Sequence, residues 1–168
     1  MANTSPSQHI STGALMVVVS VLGIIFSDSS IIGIRADEDV EETMTIDEVV
    51  EIVEPFAKGC DQQPEREHII EMIENREDAK METKCFRHCL LKQFEVMPEG
   101  QMQFDEDNTV DMMNTMFPDK KDHARRITQT CNQENAGALD KCEAAHGISM
   151  CMLREMRQAG YKIPEIKQ

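Results

Sequence analysis

The residues of this 168-residue chain best equipped for chemistry are six cysteines, Cys60, Cys85, Cys89, Cys131, Cys142 and Cys151. A thiol can couple to a second thiol, bind a metal as thiolate, or attack an electrophile. An even set confined to fewer than about 100 residues reads as a disulfide framework when the chain is exported. Structural zinc prefers two close cysteine pairs, and only Cys85-x3-Cys89 approaches one, so no metal is expected. His88 beside Cys89 gives a faint echo of a secreted phospholipase helix, but Leu90 and Leu91 follow where an acid would be needed. The acidic run Asp105-Glu106-Asp107-Asn108 lacks the central glycine and terminal glutamate of a calcium loop and suits the start of a helix. Neither an enzyme nor a bound cofactor is expected.

Spacing restricts the pairing. Cys85 and Cys89 stand four apart on a helix, where Cβ atoms are about 5–6 Å apart, too far for a disulfide that wants about 3.8 Å. Cys142 and Cys151 stand nine apart, which at about 100° per residue puts them on opposite helix faces. Of the fifteen ways to pair six cysteines, three contain the first of these pairs, three the second and one both, so ten survive. In every survivor the helices carrying these pairs are each tied to other elements.

The elements that must hold the cysteines follow an N-terminal targeting pattern. Ala14 to Phe26 is an uncharged apolar run, followed by Ser27-Asp28-Ser29-Ser30 and a small-residue stretch ending at Ala36. The run is shorter than the roughly 20 residues that cross a bilayer and has the form of a signal peptide. Residues 1–36 are therefore expected to be removed, with cleavage at Ala36 or within Ser27 to Ser30, leaving residues 37–168 as one secreted, extracellular domain without stable membrane insertion. The segment removed carries one acid and one base, so the domain keeps the net charge of −14. That charge excludes nucleic acid and anionic lipid as partners.

The domain reads as about six helices. Thr45-Ile46-Asp47-Glu48 is a capping box, with Met44 and Val49 as its staple, opening a helix whose apolar positions are Ile46, Val49, Val50, Val53 and Phe56. Pro55 should kink it or end it early. Pro64 in a first turn starts a second helix through Ile69, Ile70 and Ile73, and Asp78 caps a third running to Phe94. Asn108 caps a fourth carrying Val110, Met112, Met113 and Met116. Pro118-Asp119 starts a fifth through Ile127 to Cys131, and the stretch from Asn135 to Asp140 leads into a sixth that Gly160 stops.

The run Cys60-x24-Cys85-x3-Cys89-x41-Cys131-x10-Cys142-x8-Cys151 resembles the six-cysteine signature of insect odorant- and pheromone-binding proteins, over about residues 43–166. The resemblance includes the Asp140-Lys141-Cys142-Glu143-Ala144 segment and the apolar tail. It implies the pairs Cys60–Cys89, Cys85–Cys142 and Cys131–Cys151, one of the ten patterns that spacing allows. It also implies a compact all-α bundle stapled around an apolar cavity, and a soluble carrier of a small hydrophobic ligand. Further partners it suggests are a membrane odorant receptor and a second copy of the chain in a homodimer.

Ten of the thirteen methionines lie from Met72 onward, and a pocket lined by such flexible, polarizable side chains adapts to ligands of different shape. The expected lining is Phe56, Phe94, Met112, Met113, Met116, Phe117, Ile127 and Met150. Tyr161 and Ile163 are expected to join it from a C-terminal tail, residues 160–168, folding over the mouth; the resemblance implies that such a tail forms one wall of the site. Tyr161, Thr109, Asn114 and Thr128 are the candidates for a ligand hydrogen bond. His68, His88, His123 and His146, the groups that an acid-release mechanism would use, are expected on solvated helix faces, as is the basic cluster Lys120, Lys121, His123, Arg125 and Arg126. A secreted helical scaffold acting through protein contacts, with disulfides serving stability alone, is the second reading. It predicts a filled core where the carrier predicts a pocket.

Overall fold

In the computed structural model, the described residues are 44–163 and Ile166. The signal-peptide expectation for residues 1–36 lies outside them. Among the described residues, six α-helices and one short 3₁₀ turn account for the regular structure: α1 (Ile46–Ala57), α2 (Arg66–Ile73), α3 (Met81–Gln93), α4 (Glu106–Met116), the turn Pro118–Lys120, α5 (Lys121–Glu134) and α6 (Lys141–Gln158). None of these helices is long and apolar enough to cross a membrane.

The helices begin for identifiable reasons. Thr45 and Glu48 form the expected capping box, with the Thr45 N–H donating to Glu48 Oε2 at 2.8 Å. Pro55 does not end α1, which runs on to Ala57. The carbonyl deprived of a donor belongs to Glu51, and both residues face solvent, so nothing is left unpaired in the core. Asp140 caps α6 by accepting from the N–H groups of Cys142 and Glu143 at 2.8 and 3.0 Å.

Four starts differ from expectation. Pro64 stands outside α2, whose N-cap is Glu65. The N-cap of α3 is Lys80 rather than Asp78, because Glu71 reaches across from α2 and accepts from the Lys80 N–H at 3.2 Å and the Thr83 hydroxyl at 2.6 Å. Asp105, not Asn108, caps α4 by accepting from the Asn108 N–H at 2.9 Å. The Asn108 side chain instead donates to the Glu95 carbonyl. Pro118 opens the 3₁₀ turn, and α5 begins three residues later.

Three helices end in one motif. In each, the residue after the C-cap has positive φ: Asn75 (52°) after α2, Glu95 (57°) after α3 and Gly160 (73°) after α6. The N–H that follows it bonds back to the helix, as Arg76 to Glu71, Val96 to Leu91 and Tyr161 to Met156. These are Schellman ends. Gly160 thereby turns the tail back so that Tyr161 meets Met156 in the core.

The disulfides are Cys60–Cys89, Cys85–Cys142 and Cys131–Cys151, with Cα separations of 5.8, 4.4 and 5.5 Å, the pairing that the family resemblance implied. They tie the segment after α1 to α3, α3 to α6 and α5 to α6. Two apolar clusters form inside this frame. One joins α1, α2 and α3 through Val49, Val53, Ile69, Met72, Phe86 and Leu90. The other joins the end of α3 to α4, α5, α6 and the tail through Leu91, Met113, Ile127, Ile148, Met156 and Tyr161.

The loop before α4 is held by a buried side-chain amide. Asn132 on α5 accepts from the Phe104 N–H and donates to the Phe104 carbonyl, both at 2.9 Å. Asn132→Ala leaves two buried backbone groups without partners and is expected to cost about 2–4 kcal/mol, read as a lower midpoint in chemical denaturation. Glu95→Gly relieves a side chain held at positive φ and is expected to raise stability by about 0.5–1 kcal/mol in the same measurement.

Candidate ligand-binding site

Eight of the expected lining residues come together on the larger cluster. Met113, Ile127 and Tyr161 lie inside it, whereas Phe94, Met112, Met116, Phe117 and Ile163 pack against it while keeping part of their surface exposed. Phe56 belongs to the other cluster but meets Phe94 across the boundary, with ring centroids 5.5 Å apart. Met150 stands apart from these nine and lines a groove on the outer side of α6.

The tail completes the arrangement. Tyr161 is 5% exposed, its ring meets Phe117 edge-on at 5.0 Å, and its hydroxyl donates to the Lys120 carbonyl at 2.9 Å. Ile163 packs on the α4–α6 cluster and Ile166 on the α1–α3 cluster. The tail therefore touches both clusters, and Phe56 and Phe94 form a second contact between them.

The polar candidates separate clearly. Thr109 and Thr128 donate to helix carbonyls four residues back, those of Asp105 and Ala124, and the Tyr161 hydroxyl is committed to Lys120. Asn114 differs, because its Oδ1 is buried without a hydrogen-bond partner among the described residues. It stands four residues after Val110 and three before Phe117, so the acceptor flanks the buried face of α4.

The histidines depart from expectation. His68, His88 and His146 are buried, and only His123 is partly exposed. Two have local polar partners that make burial tolerable: His68 Nδ1 accepts from the Glu65 N–H at 3.3 Å, and His146 Nε2 lies 3.1 Å from the Glu77 carbonyl. Burial lowers the pKa of His88, reinforced by the charge of Lys141, and burial likewise lowers that of His146, opposed by its bond to Glu77. In the basic cluster, Arg125 pairs with Asp107 and Glu106 as a solvated face should.

The PBP/GOBP family model matches residues 42–155. The chain belongs to this family, the insect odorant-binding proteins. No curated protein and no solved structure matches it. The six helices and the three disulfides agree with that membership. The family model ends at residue 155, so the tail lies outside the matched stretch.

A lowered histidine pKa makes acid destabilising. Between the unfolded value near 6.5 and the lower folded value, the unfolded chain binds more protons, so stability falls with pH across that window. Unfolding free energy is expected to be fully retained above about pH 6.5 and to decline as the pH drops below it. Denaturation curves from pH 8 to 5 check this, with a His88→Gln/His146→Gln double variant showing the shallower slope.

Proposed function

We propose that this protein is a secreted carrier that holds a small hydrophobic molecule in the seam between its two apolar clusters and transports it through extracellular fluid. The observation that carries this reading is that the tail packs on both clusters, through Ile163 on one and Ile166 on the other. A ligand there is covered by the tail and flanked by Phe56, Phe94, Met112, Met116 and Phe117. Removing ~250 Å² of its apolar surface from water at roughly 25 cal/mol per Å² supplies about 6 kcal/mol, before the entropy of association is charged. Micromolar binding then needs little polar help.

The partner chemistry is an apolar body with one hydrogen-bond donor, because Asn114 Oδ1 on α4 is a buried acceptor without a partner among the described residues. An alcohol fits this description better than a hydrocarbon. Delivery to a membrane receptor and a homodimer belong to the same reading as later steps.

Close packing favours a second reading, a disulfide-stapled scaffold without a ligand: Met113 and Ile127 are each 1% exposed. One assay separates the two. The fluorescent probe N-phenyl-1-naphthylamine is expected to bind saturably at micromolar concentration and to be displaced by medium-chain alcohols. Phe117→Ala and Ile163→Asp should each weaken it about tenfold, equal to ~1.4 kcal/mol, and Met150→Ala should leave it unchanged. Absence of saturable binding would sink the carrier reading in favour of the scaffold. Asn114→Leu is expected to erase the preference for an alcohol over the matching alkane.

A further inference from the structure

The outer groove of α6 contains chemistry that the carrier reading leaves unused. It encloses about 470 Å³. Gly147, Met150 and Leu153 supply an apolar side, and Arg154 and Arg157 stand on its lip. A Cβ at Gly147 would meet the Asn135 side-chain amide, so glycine lets that amide lie against α6 at this point.

Behind the rim, at the end of α2, lie two buried polar groups with unmet bonding capacity. Arg87 is 0% exposed. Its Nη2 donates to the Met72 carbonyl at 3.1 Å and to Asn75 Oδ1 at 3.2 Å, while Nε and Nη1 have no partner. No carboxylate pairs with it among the described residues. Burial lowers its pKa to about 10, so it remains a cation at neutral pH. His146 turns Nε2 to the Glu77 carbonyl and leaves Nδ1 unpartnered, and the nearby charge of Arg87 disfavours a second cation on its ring. Asn75 and Glu77 both line the groove. Arg87 and His146 are thus one residue away from it.

We propose that this groove is a second binding site, separate from the apolar seam, for an amphipathic carboxylate. Its head group replaces the Asn75 side chain on Arg87, and its alkyl chain lies along Gly147, Met150 and Leu153. The free Nη1 beside Nη2 offers an end-on fork to two carboxylate oxygens, a charge-assisted pairing stronger than the neutral amide it displaces. One cation beside a neutral imidazole matches a monoanion, which favours a carboxylate over a doubly charged phosphate ester. Asn75 is suited to act as the gate, because it is partly exposed and its place after the C-cap fixes the backbone independently of where the side chain points. The carboxylate of Glu134 is already occupied by Arg154 at 2.8 Å, which leaves Arg157 on the lip to attract the anion. The Glu77 carboxylate on the rim opposes entry, and the attraction to Arg87 must outweigh it.

The test uses the full chain, with sodium decanoate as the probe and 1-decanol as its uncharged match. In a ¹H–¹⁵N spectrum of the arginine side chains, the Arg87 Nε resonance, identified by its absence in Arg87→Lys, is expected to move with decanoate and not with decanol. Asn75→Gly removes the competing amide while suiting the positive φ, and should tighten decanoate binding several-fold. Met150→Glu, at a partly exposed position, should weaken it tenfold or more while leaving naphthylamine binding in the seam unchanged. An Arg87 resonance that does not respond, or a response confined to Arg154 and Arg157, overturns the proposal. Displacement of the naphthylamine probe by decanoate, with Arg87 unmoved, places the carboxylate in the seam and also overturns it. Because the arginine signal is read independently of the probe, failure of the carrier reading leaves this test intact.

Discussion

The structure depends on α6 being held from opposite sides. Cys142 joins it to α3 and Cys151 joins it to α5, closing sequence separations of 57 and 20 residues. In the chain-entropy account, each closure of this length removes about 3–4 kcal/mol of freedom from the unfolded chain. Because α3 is tied in turn to the segment after α1, covalent links run in one line from α1 through α3 and α6 to α5. The two helices outside this line of links, α2 and α4, must be held by other means. Buried polar contacts hold them: Arg87 and Thr83 on α3 engage the Met72 carbonyl and Glu71 of α2, and Asn132 grips Phe104 just ahead of α4. Disulfides and buried hydrogen bonds therefore divide the helices between them, which explains why polar groups are found so deep in a small apolar fold.

That division also marks what could be read in advance. Cysteine spacing on a helix is a local quantity, so the separation of Cys85 from Cys89 and of Cys142 from Cys151 follows from helical geometry alone. The Thr45 capping box and the Gly160 stop are local too, and both stand as expected. The starts of α3 and α4 depart from their local signals because the deciding groups come from elsewhere. Glu71 satisfies the first turn of α3 from another helix, and Asn108 is used to bind Glu95 instead of capping. His68, His88 and His146 look like surface residues when considered one at a time. Their burial depends on a neighbouring backbone group or on packing that appears only after folding. Arg87 is the extreme case, since its neighbours Lys84 and His88 suggest an exposed polar face, and only the carbonyl end of α2 explains its position.

For the seam, helical periodicity identified apolar faces but not which faces meet. Eight of the ten expected residues gather in or against the α4–α6 cluster because they share the inner faces of the end of α3, α4, α5 and the tail, and Phe56 joins the other cluster. Met150 shares its helix and its chemistry with Met152 and Met156, yet faces away. Two residues along an α-helix is about 200° of rotation, so adjacent methionines of identical composition serve opposite surfaces. Composition could suggest a methionine-rich wall, but only the packing of α6 against α3 and α5 decides which methionines belong to it.

The two clusters differ in stiffness, and the difference bears on how a carrier can work. The α1–α3 cluster is built from Val49, Val50, Val53, Ile69 and Ile73 with a single buried methionine, Met72. Side chains branched at Cβ have few χ1 options, so this wall keeps its shape. The α4–α6 cluster holds Met97, Met113, Met152 and Met156, with Met112 and Met116 packed against it. These side chains rearrange at low cost. A ligand entering the seam would therefore meet one wall that fixes its position and one that conforms to its outline. The tail reaches both walls through Ile163 and Ile166. Close packing of the α4–α6 cluster is compatible with such adaptability, because flexible methionines fill space that stiffer side chains would leave as a dry void whose lining loses contacts.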